Sequence, residues 1–325
     1  MKNGDRPRFS SEGQRLANDG LAKNVVCPRF SSPPLLPNWF LFTASSCIWG
    51  STWLVIKYQL GVVAPESSVA YRFGLAALIL FGWCLARRES LSFGIRTHLA
   101  FVLLGSLQFA LNYVLVYLAE EYLTSGLVAV VFVMMVFWNL LGAHFLFGQA
   151  LSSRLLAGAT CGLVGVALVF WPELTALKGD DASVKGLILA VVGTMAASAG
   201  NLYSQRLYAK NIAVMPCTAW AMLYGALGVA LYCAIAGIGF AWDGSFAYQL
   251  SFAYLTVFGS VVAFGGYLTL LKRIGAGRAG YTSAVIPVVA MLFSTVFENY
   301  VWTVPALTGM ALVVAGNFLV MRKRT

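Results

Sequence analysis

Long stretches of this chain carry apolar side chains almost without interruption, and the polar residues collect in short intervals between them. Ten such runs can be read, at approximately 38–58, 68–86, 98–118, 124–148, 154–171, 185–205, 215–237, 249–271, 279–299 and 303–321. A helix that crosses a bilayer needs about 20 mostly apolar residues. A membrane strand would alternate apolar and polar positions over about 10 residues, and these runs do not alternate. The pattern predicts an all-α polytopic membrane protein with ten transmembrane helices. Residues 1–37 break it. They are polar and basic, then rich in proline, and are expected to form a disordered cytoplasmic tail. A cleaved leader is not expected, because the apolar run that follows is too long and has no A-x-A site.

Composition agrees with the pattern. Hydrophobic residues make up 59% of the chain and charged residues 10%, against about 25% charged in soluble domains. The charges are also sorted. Lys2, Arg6, Arg8, Arg15, Lys23, Arg29, Arg87, Arg88, Arg96, Arg154, Arg206, Lys210, Lys272, Arg273, Arg278, Arg322, Lys323 and Arg324 fall in the tail and in every second interval. The other intervals hold only Lys57, Lys178 and Lys185, beside Glu66, Glu120, Glu121, Glu173, Asp180, Asp181, Asp243 and Glu298. By the positive-inside rule both termini are expected in the cytoplasm of a bacterial inner membrane. The same sorting accounts for the net charge of +10 without a nucleic-acid partner.

The chain also repeats itself. Residues 104–131 align without a gap to residues 258–285, placing Gly105, Ser106, Tyr113, Gly126 and Val131 on Gly259, Ser260, Tyr267, Gly280 and Val285. Pro65, Gly158 and Gly165 likewise fall on Pro216, Gly309 and Gly316. Two five-helix repeats are expected, at 38–172 and 184–321. Five is odd, so the second repeat would be inverted, an arrangement that puts a substrate site between the halves near the membrane midplane.

These features resemble the EamA group of the drug/metabolite transporter superfamily. The matching residues are Trp49-Gly50-Ser51, Pro65, Arg72, Gly126, Pro287, and the paired Gly158, Gly165, Gly309 and Gly316. The resemblance covers roughly residues 38–321 and is closest to the aromatic amino acid exporters of the group. It implies a small-metabolite exporter that works by alternating access. One departure stands out. The group often has Gly-Glu near the ends of spans four and nine, where this chain has Phe147-Gly148-Gln149 and Phe297-Glu298.

Polar and aromatic residues inside apolar runs are the candidates for function, because lipid penalises an exposed amide. Trp49 lies deep in the first run. Gln108, Asn112, Tyr113 and Tyr117 form a stripe in the third, with Val116 among them. Trp138 and Asn139 lie near the middle of the fourth, followed by His144. Asn201, Tyr203, Ser204, Trp220, Tyr224 and Tyr267 come from the second half. Helix–helix hydrogen bonding competes with substrate binding as an account of these residues. Together they describe an amphipathic cavity suited to an amino acid with a ring or another large apolar side chain. Lys57 and Arg72 are expected at the outer mouth as interfacial anchors, paired with Glu66 or a helix-end carbonyl; the competing reading has Arg72 attracting a substrate carboxylate there. Gly200, Gly265, Gly266 and Pro287 are candidate hinges.

No catalytic residues, cofactor or metal site are expected. The six cysteines are scattered, and His98 and His144 are the only histidines. The carboxylates fall at span ends, which favours facilitated export over proton-driven antiport. The expected partners are a small amino-acid substrate and the lipid bilayer, with the protein acting as a monomer. An antiporter for phosphorylated or nucleotide-linked metabolites is the alternative. A membrane enzyme ranks last.

Overall fold

In lipid, a continuous apolar segment can satisfy its own backbone only by coiling into a helix. The computed structural model describes residues 36–148, 153–171, 181–210, 212–274 and 282–321, so the predicted tail, apart from Leu36 and Pro37, lies outside the described residues. From Asn38 onward the chain forms one unit. Its helices are α1 (Asn38–Lys57), α2 (Pro65–Ala86), α3 (Ile95–Glu120), α4 (Ser125–Val131 and Met134–Phe147), α5 (Ser153–Val169), α6 (Asp181–Ala209) and α7 (Val214–Ala236). They continue as α8 (Phe246–Tyr254, Leu255–Val262 and Ala263–Ile274), α9 (Thr282–Phe297) and α10 (Val304–Met321). No strand occurs among the described residues.

Seven of these, α1 to α4 and α6 to α8, are long and apolar enough to cross a membrane. The other three hold shorter apolar stretches, Leu156–Val169, Val285–Phe297 and Val304–Gly316. Local chemistry sets several ends. Pro65 opens α2, where its missing N–H costs nothing, and Glu66 in the first turn suits the positive end of the helix. Gly148 and Gly237 close α4 and α7 in the left-handed conformation, at φ of 65° and 70°.

Two helices leave α geometry midway. Ser106–Leu111 of α3 and Leu255–Val262 of α8 are π-helical. A wide turn of this kind recurs at functional sites. Each lies beside a tight glycine contact. A Cβ on Gly105 would stand 2.3 Å from the Ala221 carbonyl oxygen, and one on Gly259 would stand 3.1 Å from Nη2 of Arg72. Pro287 lies inside α9, where it removes one backbone hydrogen bond.

The packing comes in matched pairs. Helix α1 lies on α9 and α6 lies on α4; α3 lies on α6 and α8 lies on α1; α3 meets α7 and α2 meets α8. Two further seams, α2 with α7 and α5 with α10, join corresponding helices of the two sequence halves. In the second seam a Cβ on Gly309 would stand 2.5 Å from the Gly165 carbonyl oxygen, and one on Gly316 would stand 2.5 Å from that of Gly158. Only glycine lets two helix backbones come this close.

Candidate functional site

Arg72 sits two turns into α2 and is 1% exposed. Its Nε donates to Ser260 Oγ at 3.0 Å and its Nη1 to the Tyr117 hydroxyl at 3.3 Å. The guanidinium also lies 5.1 Å from the centre of the Phe73 ring and 4.9 Å from that of Tyr113. Its expected pairing with Glu66 or a helix-end carbonyl is therefore corrected. Ser260 from α8, Tyr117 from α3 and two ring faces replace water around the cation. No carboxylate reaches it within ion-pair distance among the described residues. Tyr117, also buried, passes its hydroxyl hydrogen to Gln59 Oε1 at 2.7 Å.

Lys57, at the end of α1, is partly exposed, but its ammonium points at protein. It donates to the carbonyl oxygen of Glu120 and, at 2.6 Å, to that of Leu123, and lies 4.0 Å from Glu298 Oε1. Glu298 in turn receives the Ser125 backbone N–H on both carboxylate oxygens at 3.1 Å, and the Ser125 hydroxyl as well. It therefore caps the start of α4 from just beyond α9. Glu120 is the last residue of α3, at a span end as expected, and is 0% exposed. Just outside that span, burial and the nearby Glu66 push Glu121 above the usual carboxylate range, with Lys185 opposing.

From Arg72 a path of ring contacts runs into the protein. Tyr113 meets Phe73 at 4.5 Å between ring centres, Phe73 meets Phe109 at 5.2 Å, and Phe109 meets Phe264 at 5.5 Å. Trp49 then meets Phe264 at 5.2 Å and Tyr267 at 5.1 Å. Most of these pairs are tilted or edge-on, as ring quadrupoles prefer. The Trp49 indole donates to the Gly259 carbonyl at 3.2 Å, in the π-helical stretch of α8. Trp49 is eight residues, about 12 Å, along α1 from Lys57. The path uses α1, α2, α3 and α8, so both sequence halves contribute.

The remaining predicted residues divide among other contacts. The stripe on α3 splits, because Tyr113 is one residue, about 100° of helix, beyond Asn112. Gln108 and Asn112 face α6. A Cβ on Gly200 would stand 2.2 Å from Gln108 Oε1, so Gly200 here permits a close approach, and Gly193 lies against Asn112. On α4, Trp138 Nε1 donates to Thr194 Oγ1 at 3.0 Å, Asn139 Oδ1 accepts from Ser198 Oγ at 2.8 Å, and Met135 Sδ accepts from Asn201 Nδ2 at 3.3 Å. These three contacts join α4 to α6. Tyr203 packs against the main core.

Trp220 is in a separate cluster. It stacks on Tyr224, meets His98 edge-on at 4.6 Å and Phe81 at 4.9 Å, and donates to the Leu91 carbonyl. Phe81 is nine residues along α2 from Arg72, about 13.5 Å away. Of the candidate hinges, Gly266 lies against Ser45 and Gly265 against Met215, while the turn containing Pro287 abuts Gly50 of α1. A small apolar recess between α4, α5 and α10, lined by residues such as Val133, Phe137 and Gly162, takes in none of the predicted site residues.

Sequence inspection missed Phe73, Phe109 and Phe264, which look like ordinary lipid-facing or core rings. It also missed Ser260, Gln59 and Glu120. For Ser260 a signal existed, since it matches Ser106 in the repeat beside the glycine pair.

The comparisons with known proteins fit this architecture. The model of the EamA-like transporter family matches the chain twice, over residues 37–171 and 184–322. An uncharacterized transporter of Bacillus subtilis, YoaV, is 26% identical over 275 residues, 84% of this chain and 92% of its own length. An uncharacterized transporter of Archaeoglobus fulgidus is 24% identical over 295 residues, 89% of this chain and all of its own length. A solved crystal structure shares the fold with a TM-score of 0.66 at 19% identity, covering 87% of this chain and 95% of the other. The doubled family match takes in both halves of the ring path, and the chain belongs to the EamA-like transporter family of membrane transporters.

Proposed function

We propose that the protein exports amino acids, aromatic ones included, by alternating access around the ring path between its two sequence halves. The observation that carries this reading is the Arg72 guanidinium at the head of that path, without an ion-pair partner among the described residues and buried among Tyr113, Phe73, Tyr117 and Ser260. A guanidinium suits a carboxylate. Rings next to it suit an apolar or aromatic side chain, adding about 0.5–1.5 kcal/mol beyond burial. An ammonium group can also lie over a ring face. Selectivity is loose, because stacking discriminates weakly. Transport runs down the substrate gradient. The matched helix pairs support two inverted five-helix repeats, with α5, α9 and α10 completing ten spans. Both termini lie in the cytoplasm, and the working unit is a monomer.

Competition during efflux from loaded proteoliposomes tests the substrate class. Phenylalanine, tryptophan and threonine are expected to compete, and a phosphorylated metabolite is not. The reverse result moves the reading to the phosphorylated class, since a buried guanidinium also suits phosphate. Reporter fusions at Asp180 and at the carboxyl terminus test the topology. The ten-span reading expects them on opposite faces of the membrane.

A further inference from the structure

Lys57, Glu120, Leu123, Ser125 and Glu298 gather where α1, α3, α4 and α9 end or begin. Glu120 lies within this group and is 0% exposed, yet neither of its carboxylate oxygens has a hydrogen-bond partner among the described residues. The nearby cations are directed elsewhere. An ammonium has three N–H donors. Two of those of Lys57 go to the carbonyls of Glu120 and Leu123, and the ammonium lies 4.0 Å from Glu298 Oε1, an ion pair beyond hydrogen-bond reach. Arg72 donates to Ser260 and Tyr117, and Tyr117 donates to Gln59. Burying an ionised carboxylate without a donor is costly. More unpartnered buried polar atoms come from the same loop and the helices around it: Thr124 Oγ1, Ser294 Oγ and Gln59 Nε2. Ser294 lies against Gly126, one residue from the capped Ser125.

We propose that Glu120 is a proton-binding site that latches this end of the bundle. Glu120 holds a proton while Lys57 and Glu298 clamp the 120–125 loop. When the clamp parts and water enters, the carboxyl releases that proton to water, and the resulting anion is stabilised by the freed Lys57 ammonium. Re-protonation lets the end close again. One proton leaves and one returns on the same face. The device therefore sets the rate at which this end opens and adds no drive to transport. It rests on the chain being a transporter, but not on which substrate it carries.

The charged and titratable groups facing Glu120 are Lys57 on α1, Arg72 on α2, Tyr117 on α3 itself, and Glu298 beyond α9. Beside the same loop, Lys185 on α6 donates to Tyr122, and Glu121 and Glu66 form a more exposed acidic pair.

Two measurements on the full-length protein test the proposal. The first is phenylalanine efflux from proteoliposomes with the pH set independently on the two faces, between about pH 5 and about pH 9. The wild-type rate is expected to rise with pH on one face only, by up to about tenfold per pH unit, the limit for a single proton. Glu120→Gln, a fixed mimic of the neutral acid, should be slow and insensitive to pH. Glu120→Asp should keep the dependence with a displaced midpoint, and Glu121→Gln and Glu66→Gln should keep the wild-type profile.

The second measurement needs no substrate. Thiol labelling of Thr124→Cys in a background without other cysteines, normalised to the denatured chain, should rise with pH and stay low once Glu120→Gln is added. A wild-type pH response in Glu120→Gln, in either measurement, overturns the proposal. Phenylalanine that fails to leave while labelling follows pH overturns the substrate reading and leaves the latch standing.

Discussion

Two of the regions where the first and second sequence halves meet are built on opposite principles. In the seam between α5 and α10, glycine faces glycine and backbone touches backbone. Around Glu298 the contact is ionic and polar, with Lys57 reaching across two loop carbonyls and a carboxylate capping Ser125. Dispersion between close backbones has one optimal distance and no alternative partner. A salt bridge or a capping bond can exchange its partner for water at modest cost. Under the alternating access proposed above, the first region would act as a fixed pivot and the second as a separable contact.

The largest effect should follow from crowding the seam. A Cβ at Gly309 meets a carbonyl 2.5 Å away, and a backbone atom cannot retreat as the tip of a side chain can. Gly309→Val is expected to cost at least the roughly 3 kcal/mol upper end of overpacking and to abolish monodisperse protein in detergent. Gly228→Ala on α7, where nothing lies within 4 Å, is the control and should melt like the wild type. A stable Gly309→Val protein would mean that the seam gives way and the contrast between the two regions fails.

Next in size is Arg72→Gln. It removes a buried cation that has no ion-pair partner among the described residues, so the melting temperature should hold or rise. Efflux should fall about tenfold or more, the order expected for losing one charge-assisted bond. Arg72→Lys should not rescue it, because an ammonium cannot reproduce the planar fork. A large loss of stability together with efflux would make Arg72 a structural residue.

A smaller change is expected from Glu298→Ala. Losing the cap on Ser125 should cost about 1 kcal/mol, read as a lower melting temperature. The 120–125 loop should become easier to label. An unchanged loop would show that the polar contact does not hold this end closed.

The smallest effect should come from the polar bonds between α4 and α6. A double-mutant cycle of Trp138→Phe and Thr194→Val should return a coupling near 0.6 kcal/mol, as for other hydrogen bonds between membrane helices. A coupling several times larger would place this seam with the fixed pivot.

The helices themselves were legible because the membrane imposes them. A segment of 20 apolar residues in lipid has few alternatives to a helix, so position and length follow from composition alone. The four glycines stood out in the sequence as repeat matches, Gly158 with Gly309 and Gly165 with Gly316, but their meeting across α5 and α10, Gly165 against Gly309 and Gly158 against Gly316, was not readable there. Where the side chains meet was another matter. Arg72 and Lys57 look like mouth residues in sequence, because a cation near a span end is least costly at the interface. Their partners Ser260 and Glu298 come from α8 and from beyond α9, far along the chain. Only the packing of those helices could turn two apparent anchors into a buried guanidinium and a clamp. Glu120 shows the same limit. Its place at the end of a span was readable, but its burial without a hydrogen-bond donor depends on which neighbours had already committed their own donors, and that is a property of the assembled bundle.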